Sequence, residues 1–225
     1  MRVLITSGST QIPIDQVRVI SNVFKGRTGF EIANHFIDQG DNVTFLTSND
    51  QNRSDLLLRK RWYKNHPCAI LYKTYDELYA NMEDEIRNYH YDLIIHSSAV
   101  SDYKVAKITN ADGEEQTDGK VSSKHKHLVI HLAPTEKIID KIKGEWGFKG
   151  TLVQFKLEVA RTDEELCEIA RKSMKHSGAD IIVANCIEWS KERAYIGTNL
   201  AFLETSRVDL PRNLRQIVGE IKYQA

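Results

Sequence analysis

Short apolar runs alternating with helix-length amphipathic stretches predict an α/β fold, a mostly parallel sheet covered by helices on both faces. The runs are dense in Val, Ile and Leu, as strands buried on both faces are. The stretches between them carry apolar residues at helical spacing. In order, Arg2 to Thr6 (RVLIT) reads as the first strand. Gly29 to Gln39 reads as a helix, with Phe30, Ile32, Ala33, Phe36 and Ile37 on one face and Gly40 placed to end it. Asn42 to Leu46 and Ala69 to Lys73 are strands, and Asp76 to Asn88 is a second amphipathic helix. Asp92 to His96 and Thr151 to Leu157 are buried-type strands. Asp163 to His176 is a helix with Asp163 as its cap and Leu166, Ile169, Ala170 and Met174 on one face; ADIIVANCI is a further strand.

Three segments need separate treatment. Tyr103 to Lys126 is polar, lysine-rich and poor in core formers, and a loop of that length within a domain is usually functional or disordered. AYIGTNLAFLET holds two strand-like runs around Gly197-Thr198-Asn199 and predicts a C-terminal hairpin, followed by a helix with Leu214, Ile217, Val218 and Ile221 on its apolar face. Asp50 to Lys64 reads equally as a helix or a basic loop. No internal repeat is present.

A chain of 225 residues fits one domain, 1–225, with a substantial core, and 41% hydrophobic with 28% charged residues describes a soluble globular protein. A formal net charge of zero disfavours a large nonspecific grip on nucleic acid. Cys68, Cys167 and Cys186 are too scattered for a disulfide framework or a zinc site, which points to a reducing cytosol. The absence of any run of about 18 apolar residues, and a start directly in a strand, predict neither a membrane span nor a signal peptide.

In open α/β sheets ligands bind beyond the carboxyl ends of the strands. After the first strand come Ser7, Gly8, Ser9 and Thr10; after the Asp92 strand come Ser97, Ser98, Ala99, Val100, Ser101 and Asp102. Phe155 and Lys156 close the Thr151 strand, and Asn185 closes the last parallel one. Small residues, a carboxylate, a lysine and an amide thus meet at one edge and suit an anionic, nucleotide-like ligand, although each alone also fits an ordinary turn. Gly26 and Gly29, flanked by Lys25, Arg27 and Thr28, precede a helix whose N–H groups favour an anion. Roughly 15 residues separate Gly26 from the first strand, whereas a dinucleotide-binding G-x-G-x-x-G follows that strand at once, so ordinary NAD binding is disfavoured. His125, His127 and His131 alternate along HKHLVIHL without a convincing further ligand for a metal.

VLITSGSTQIPIDQVRVISNVFKGRTGFEIANHF resembles the N-terminal signature of phosphopantothenoylcysteine synthetases: V-L-I-T-[AS]-G-G-T, P-[IL]-D-x-V-R-x-I-[ST]-N, then S-x-G-x-x-G. SSAVSDY resembles the family's A-A-V-[AS]-D-[YW]. LAPTEKIID resembles its N-P-D-I-[IL] segment, with Ala133 in place of Asn and Thr135 in place of Asp. FKLE, ARK and IIVANCIE resemble the eukaryotic-like, monofunctional branch. The resemblance spans nearly the whole chain and implies a Rossmann-like three-layer fold with a flap at 103–131 that serves a homodimer and covers a neighbour's active site. It implies a ligase of coenzyme A biosynthesis that joins 4′-phosphopantothenate to L-cysteine, uses CTP or ATP with Mg²⁺, and passes through an acyl-nucleotidylate.

The roles it implies follow position by position. Asn22 contacts the acyl-phosphate, and Lys172, with Lys175 as alternative, is the essential lysine; the gapless bacterial register instead places that lysine at Ser173. Gly8, Ser9, Thr10, Gly26, Gly29, Ser98, Ala99, Asp102, Phe155, Lys156 and Asn185 hold the nucleotide. Arg18, Lys107 and Lys120 face the substrate, Arg18 being otherwise a salt-bridged arginine; no metal ligand is implied. Two other classes fit the same architecture: a flavin- or NAD(P)-binding oxidoreductase, and a catalytically silent homologue acting as a binding or regulatory subunit.

Overall fold

The structure, a computed structural model, describes residues 1–58, 67–116 and 119–224. Its strands are β1 (Arg2–Ser7), β2 (Gln11–Pro13), β3 (Val19–Ser21), β4 (Asn42–Thr47), β5 (Cys68–Leu71), β6 (Leu93–His96), β7 (Tyr103–Asn110), β8 (Leu128–Pro134), β9 (Thr151–Glu158), β10 (Ile181–Cys186), β11 (Arg193–Gly197) and β12 (Phe202–Ser206). Its helices are α1 (Arg27–Asp38), α2 (Asp50–Leu58), α3 (Tyr75–Asn88), α4 (Ile138–Lys143), α5 (Asp163–Ser177) and α6 (Leu210–Gln224).

The main sheet runs β5-β4-β1-β6-β9-β10-β11-β12. Its first six strands are parallel and the last two antiparallel, the predicted C-terminal hairpin. From β1 the chain builds outward through β4 to β5, then returns to place β6 on the other side of β1. That reversal leaves a crevice between the ends of β1 and β6.

Period-two alternation sends Leu4 to one face of the sheet and Val3 and Ile5 to the other. The first face packs under α3, α4 and α5 through Leu78, Met82, Ile142, Leu166, Ala170 and Met174. The second packs under α1, α2 and α6 through Ile32, Phe36, Leu56, Leu214 and Val218. The Rossmann-like three-layer reading holds.

Four details depart from the expectations. Thr162, not Asp163, caps α5: its hydroxyl accepts the Glu165 N–H at 3.3 Å and Glu165 accepts the Thr162 N–H at 3.0 Å. The Asp163 carboxylate is engaged elsewhere, by both terminal nitrogens of Arg193 at 2.9 Å. Second, Tyr103 to Lys126 is not a structureless loop at its start. β7 pairs with β8 in an antiparallel arm from Tyr103↔Pro134 to Asn110↔Leu128, with a bulge between Val105 and Lys107. Third, His125 and His127 precede β8 and only His131 lies in it, and among the described residues no three His, Cys, Asp or Glu form a metal-binding group. Fourth, the ambiguous segment forms α2 over Asp50–Leu58; the rest of it, through Lys64, lies outside the described residues.

Candidate functional site

The loops that follow β1 and β6 are laced together at the crevice. The Ala99 N–H donates to the Gly8 carbonyl at 2.8 Å, and the Thr10 N–H donates to the Ala99 carbonyl at 3.2 Å. The Thr10 hydroxyl accepts the Ser101 N–H at 2.8 Å. Gly8 has φ +95° and lies against β4's following turn; a Cβ there would sit 2.1 Å from the Ser48 hydroxyl. Ser48 Oγ accepts the Ser9 N–H at 2.9 Å, so the loop after β4 holds the loop after β1.

The short β2–β3 hairpin then returns the chain over this crevice. It delivers Asn22, whose carboxamide donates to the Ala99 carbonyl at 3.4 Å. Ser9 Oγ lies 3.2 Å from Ser21 Oγ and donates to the Asn22 carbonyl at 3.4 Å. Gly26, at φ +77°, occupies the N-cap of α1 without a side-chain cap, and the Ser7 hydroxyl donates to its carbonyl at 2.7 Å. Gly29 in the first turn abuts Ser7 and Ser97. Small residues are therefore required here because the α1 terminus rides directly on the β1 and β6 loops. Its first-turn amides point a positive dipole end into the same crevice.

Of the residues singled out in the sequence, Gly8, Ser9, Thr10, Asn22, Gly26, Gly29, Ser98 and Ala99 are brought together at this point. Asp102 follows on the same loop, exposed, its carbonyl accepting the Thr135 N–H at 2.9 Å. Thr135 also donates its hydroxyl to the Ser101 carbonyl at 2.6 Å, so this residue clasps the base of the arm. Phe155, Lys156 and Asn185 are half-buried at the carboxyl ends of β9 and β10, farther along the sheet edge; Lys156 pairs with Glu158 at 3.1 Å.

The remaining candidates stand apart. Arg18 is held by Asp15, its Nε donating at 3.0 Å, and its Nη2 donates to the Val121 carbonyl of the arm at 2.8 Å. The guanidinium of Arg18, with the amides of Val17, Arg18 and Val121, holds the Asp15 carboxyl well below the usual carboxylate range. Lys107 and Lys120 are exposed on the arm. Lys172 lies on the outer face of α5, paired with Glu168 at 2.7 Å. Ser173, the gapless alternative, faces the sheet and accepts from Gln154 Nε2 at 2.9 Å.

Sequence reasoning passed over the layer beneath the crevice. The fully buried Tyr72 donates its hydroxyl to the Ser7 carbonyl at 2.8 Å and lies 2.8 Å from Ser98 Oγ, bridging the two loops. Burial pushes its phenol up to about 12, so it stays a donor. Thr6 and His96, at the ends of β1 and β6, meet at 2.9 Å between Oγ1 and Nδ1. Burial holds the His96 imidazole down to about 4, hence neutral near pH 7. The available signal was a polar residue closing each apolar run: Thr6 after VLI, His96 after LII, Tyr72 after AIL.

No helix among the described residues is long and apolar enough to cross a membrane, and Cys167 and Cys186 are free thiols. Residues 1–213 match the family described as the DNA/pantothenate metabolism flavoprotein C-terminal domain. A coenzyme A biosynthesis bifunctional protein CoaBC of Thermococcus kodakarensis is 33% identical over 83% of this chain and 41% of its own length. The CoaBC of Methanocaldococcus jannaschii is 29% identical over 82% and 40%. The chain thus spans about two fifths of the length of these relatives. A solved structure of the DNA/pantothenate metabolism flavoprotein from Streptococcus pneumoniae superposes with TM-score 0.83 at 27% identity, over 98% of this chain and 99% of that one. The fold agrees with these matches, and the chain belongs to the DNA/pantothenate metabolism flavoprotein C-terminal domain family, as its resemblance to phosphopantothenoylcysteine synthetases led one to expect.

Proposed function

We propose that this chain is a phosphopantothenate–cysteine ligase, a single ligase domain with the β7–β8 arm as its flap. The observation that carries the reading is the convergence of Asn22, Ser9 and Ala99 at the β1–β6 crevice under the uncapped start of α1. The triphosphate of CTP or ATP lies against Gly8, Ser9, Thr10, Gly26 and Gly29, with Ser98, Ala99 and Asp102 toward the sugar and Phe155, Lys156 and Asn185 toward the base. A carboxylate oxygen of 4′-phosphopantothenate attacks the α-phosphorus and expels pyrophosphate, forming the acyl-nucleotidylate. The amine of L-cysteine then attacks the acyl carbon, loses a proton and expels the nucleoside monophosphate.

Such a reaction asks for positioning and charge neutralisation more than for a nucleophilic side chain. Asn22 is the group placed to orient the reacting carboxylate; the resemblance assigns phosphate neutralisation to Lys172, which stands on the outer face of α5 away from the crevice. Arg18, Lys107 and Lys120 serve the substrate from the hairpin and the arm. Mg²⁺ accompanying the triphosphate would be held mainly by phosphate oxygens and water, with one or two protein oxygens. The arm exposes Tyr103, Val129 and Leu132, which supports a homodimer. The same reading places the enzyme in the cytoplasm. Both the match to CoaBC relatives and the absence of a glycine fingerprint directly after β1 favour the ligase over an oxidoreductase.

The test is pyrophosphate release that requires both 4′-phosphopantothenate and a nucleoside triphosphate, with CTP and ATP compared, followed by cysteine-dependent release of nucleoside monophosphate. Asn22→Ala is expected to slow the first step sharply in a protein with an unchanged melting curve. Full turnover in that variant would remove Asn22 from the chemistry.

A further inference from the structure

Beneath the crevice, three adjacent strands carry buried polar residues in register: Thr6 on β1, His96 on β6 and Gln154 on β9. Gln154 is held from α5, its Nε2 donating to Ser173 Oγ at 2.9 Å and its Oε1 accepting from Ser177 Oγ at 2.6 Å. The His96 ring faces Thr6.

Thr6 Oγ1 accepts the Ser98 N–H at 3.3 Å. The same oxygen is hydrogen-bonded to His96 Nδ1 at 2.9 Å, the direction being set by the imidazole tautomer. The Thr6 carbonyl also accepts from Ser97, from its N–H at 3.3 Å and its hydroxyl at 2.5 Å. Thr6 therefore fixes the Ser97–Ser98 turn from below. The next residue, Ala99, presents its carbonyl to the Asn22 carboxamide. Three hydrogen bonds and the backbone of Ser98 and Ala99 connect His96 to Asn22.

We propose that His96 is a positioning residue for the ligation: it holds the Thr6 hydroxyl, Thr6 seats the Ser98 amide, and the Ala99 carbonyl so placed orients Asn22. This rests on the ligase reading, in which Asn22 meets the reacting carboxylate. His96 itself is buried and acts through Thr6. Misplacement of a reacting group by as little as 1 Å can cost about a hundredfold in rate.

The experiment compares removal with conservative replacement. Thr6→Val and His96→Ala remove the hydrogen bond. Thr6→Ser keeps the hydroxyl, and His96→Asn keeps a hydrogen-bonding amide where Nδ1 stands. In the pyrophosphate assay the first pair should lose about ten- to a hundredfold in kcat with the KM for the triphosphate changed by less than about threefold, and the second pair should restore kcat to within about threefold. In an Asn22→Ala background Thr6→Val should have no further effect. Thr6→Val turning over like wild type, or slowing Asn22→Ala by the same factor as it slows wild type, would overturn the proposal; if His96→Ala does not fold, His96→Leu replaces it, and wild-type kcat in folded His96→Leu would overturn it too.

Failure of the ligase reading shows separately, as wild-type protein with no phosphopantothenate-dependent pyrophosphate release. The geometry then still answers to nitrogen NMR of the His96 ring and to amide exchange at Ser98. A His96 ring-nitrogen signal that moves in Thr6→Val, and faster Ser98 exchange in that variant, are expected. An unmoved ring signal, or unchanged exchange, would refute the link.

Discussion

Gly26 stands so close to Gly8 that a Cβ on Gly26 would lie 2.6 Å from the Gly8 amide nitrogen and 2.9 Å from its Cα. The obstacle is backbone, which cannot rotate away as a side chain can. Gly40 offers a control: its φ of +81° is close to the +77° of Gly26, but nothing lies within 4 Å of a Cβ there. Gly40→Ala should cost about 1 kcal/mol, the left-handed penalty alone. Gly26→Ala should cost about 1–3 kcal/mol more, because the start of α1 must lift off the β1 loop. Urea denaturation of the two variants separates the terms, and equal losses would mean that the contact is slack.

Asp15 reaches across the chain to the arm, its Oδ2 accepting the Val121 N–H at 3.1 Å. The Gln16 N–H donates to the Gly119 carbonyl at 3.0 Å alongside. Asp15→Asn removes the charge that holds Arg18 and should loosen the arm, so trypsin should cut faster after Lys120, Lys124 or Lys126. The wild-type carboxyl has its folded pKa lowered, so its contribution is full above the unfolded value near 4 and lost as pH falls below it. Identical digestion of both proteins at pH 7 would show that the clip does not restrain the arm.

His96 titrates in the other sense from a salt-bridged histidine. Its folded pKa of about 4 lies below the 6.5 of an unperturbed histidine. Between those values the unfolded chain binds a proton that the folded chain refuses, so stability falls as pH drops from 6.5 toward 4. The drop assigned to this one group is about 2–3 kcal/mol. His96→Asn should lose less stability than wild type between pH 7 and pH 4.5, and parallel losses would place the proton elsewhere.

Ala160 takes φ +51° in the turn after β9, its N–H donating to Glu188 Oε1 at 2.9 Å. A left-handed alanine carries about 1–2 kcal/mol of strain, while glycine's freer unfolded chain gives back about 0.4–1 kcal/mol. Ala160→Gly should therefore raise stability by about 0.5–1 kcal/mol. A lower melting temperature would show that the turn needs the methyl group.

The exposed Lys172–Glu168 pair on α5 contributes little to folding, as surface pairs do. Lys172→Gln should leave the melting temperature in place. Pyrophosphate release should fall about tenfold or more, and further than in Lys175→Gln. The reverse ranking would assign the essential charge to Lys175.

The parallel layers and the glycine-lined crevice were legible because burial writes itself in one dimension: LII, LVQF and DIIVA can only be interior strands, and Gly26 and Gly29 mark a close approach. The cap of α5 was misread because Asp163 and Thr162 are both capable caps, and only Arg193, 30 residues away in sequence, decides between them. The pairing within the arm was not legible from its residues alone for a similar reason, although the resemblance implied a flap there. Its strands face solvent over much of their length, so they lack the apolar alternation that a half-buried pair shows. Tyr72 and His96 were missed because a buried polar group earns its meaning from partners on other strands, which no spacing rule exposes.

The arm leaves the sheet after β6 and comes back just before α4, and its two ends, Tyr103 and Pro134, sit side by side as a pair. An insertion whose entrance and exit coincide can be excised or exchanged by joining two neighbouring points, without asking the Rossmann-like layers to rearrange. The chain is thus built as a layered slab carrying a portable appendage, and a chimaera that takes a relative's arm is expected to keep the melting behaviour of the slab.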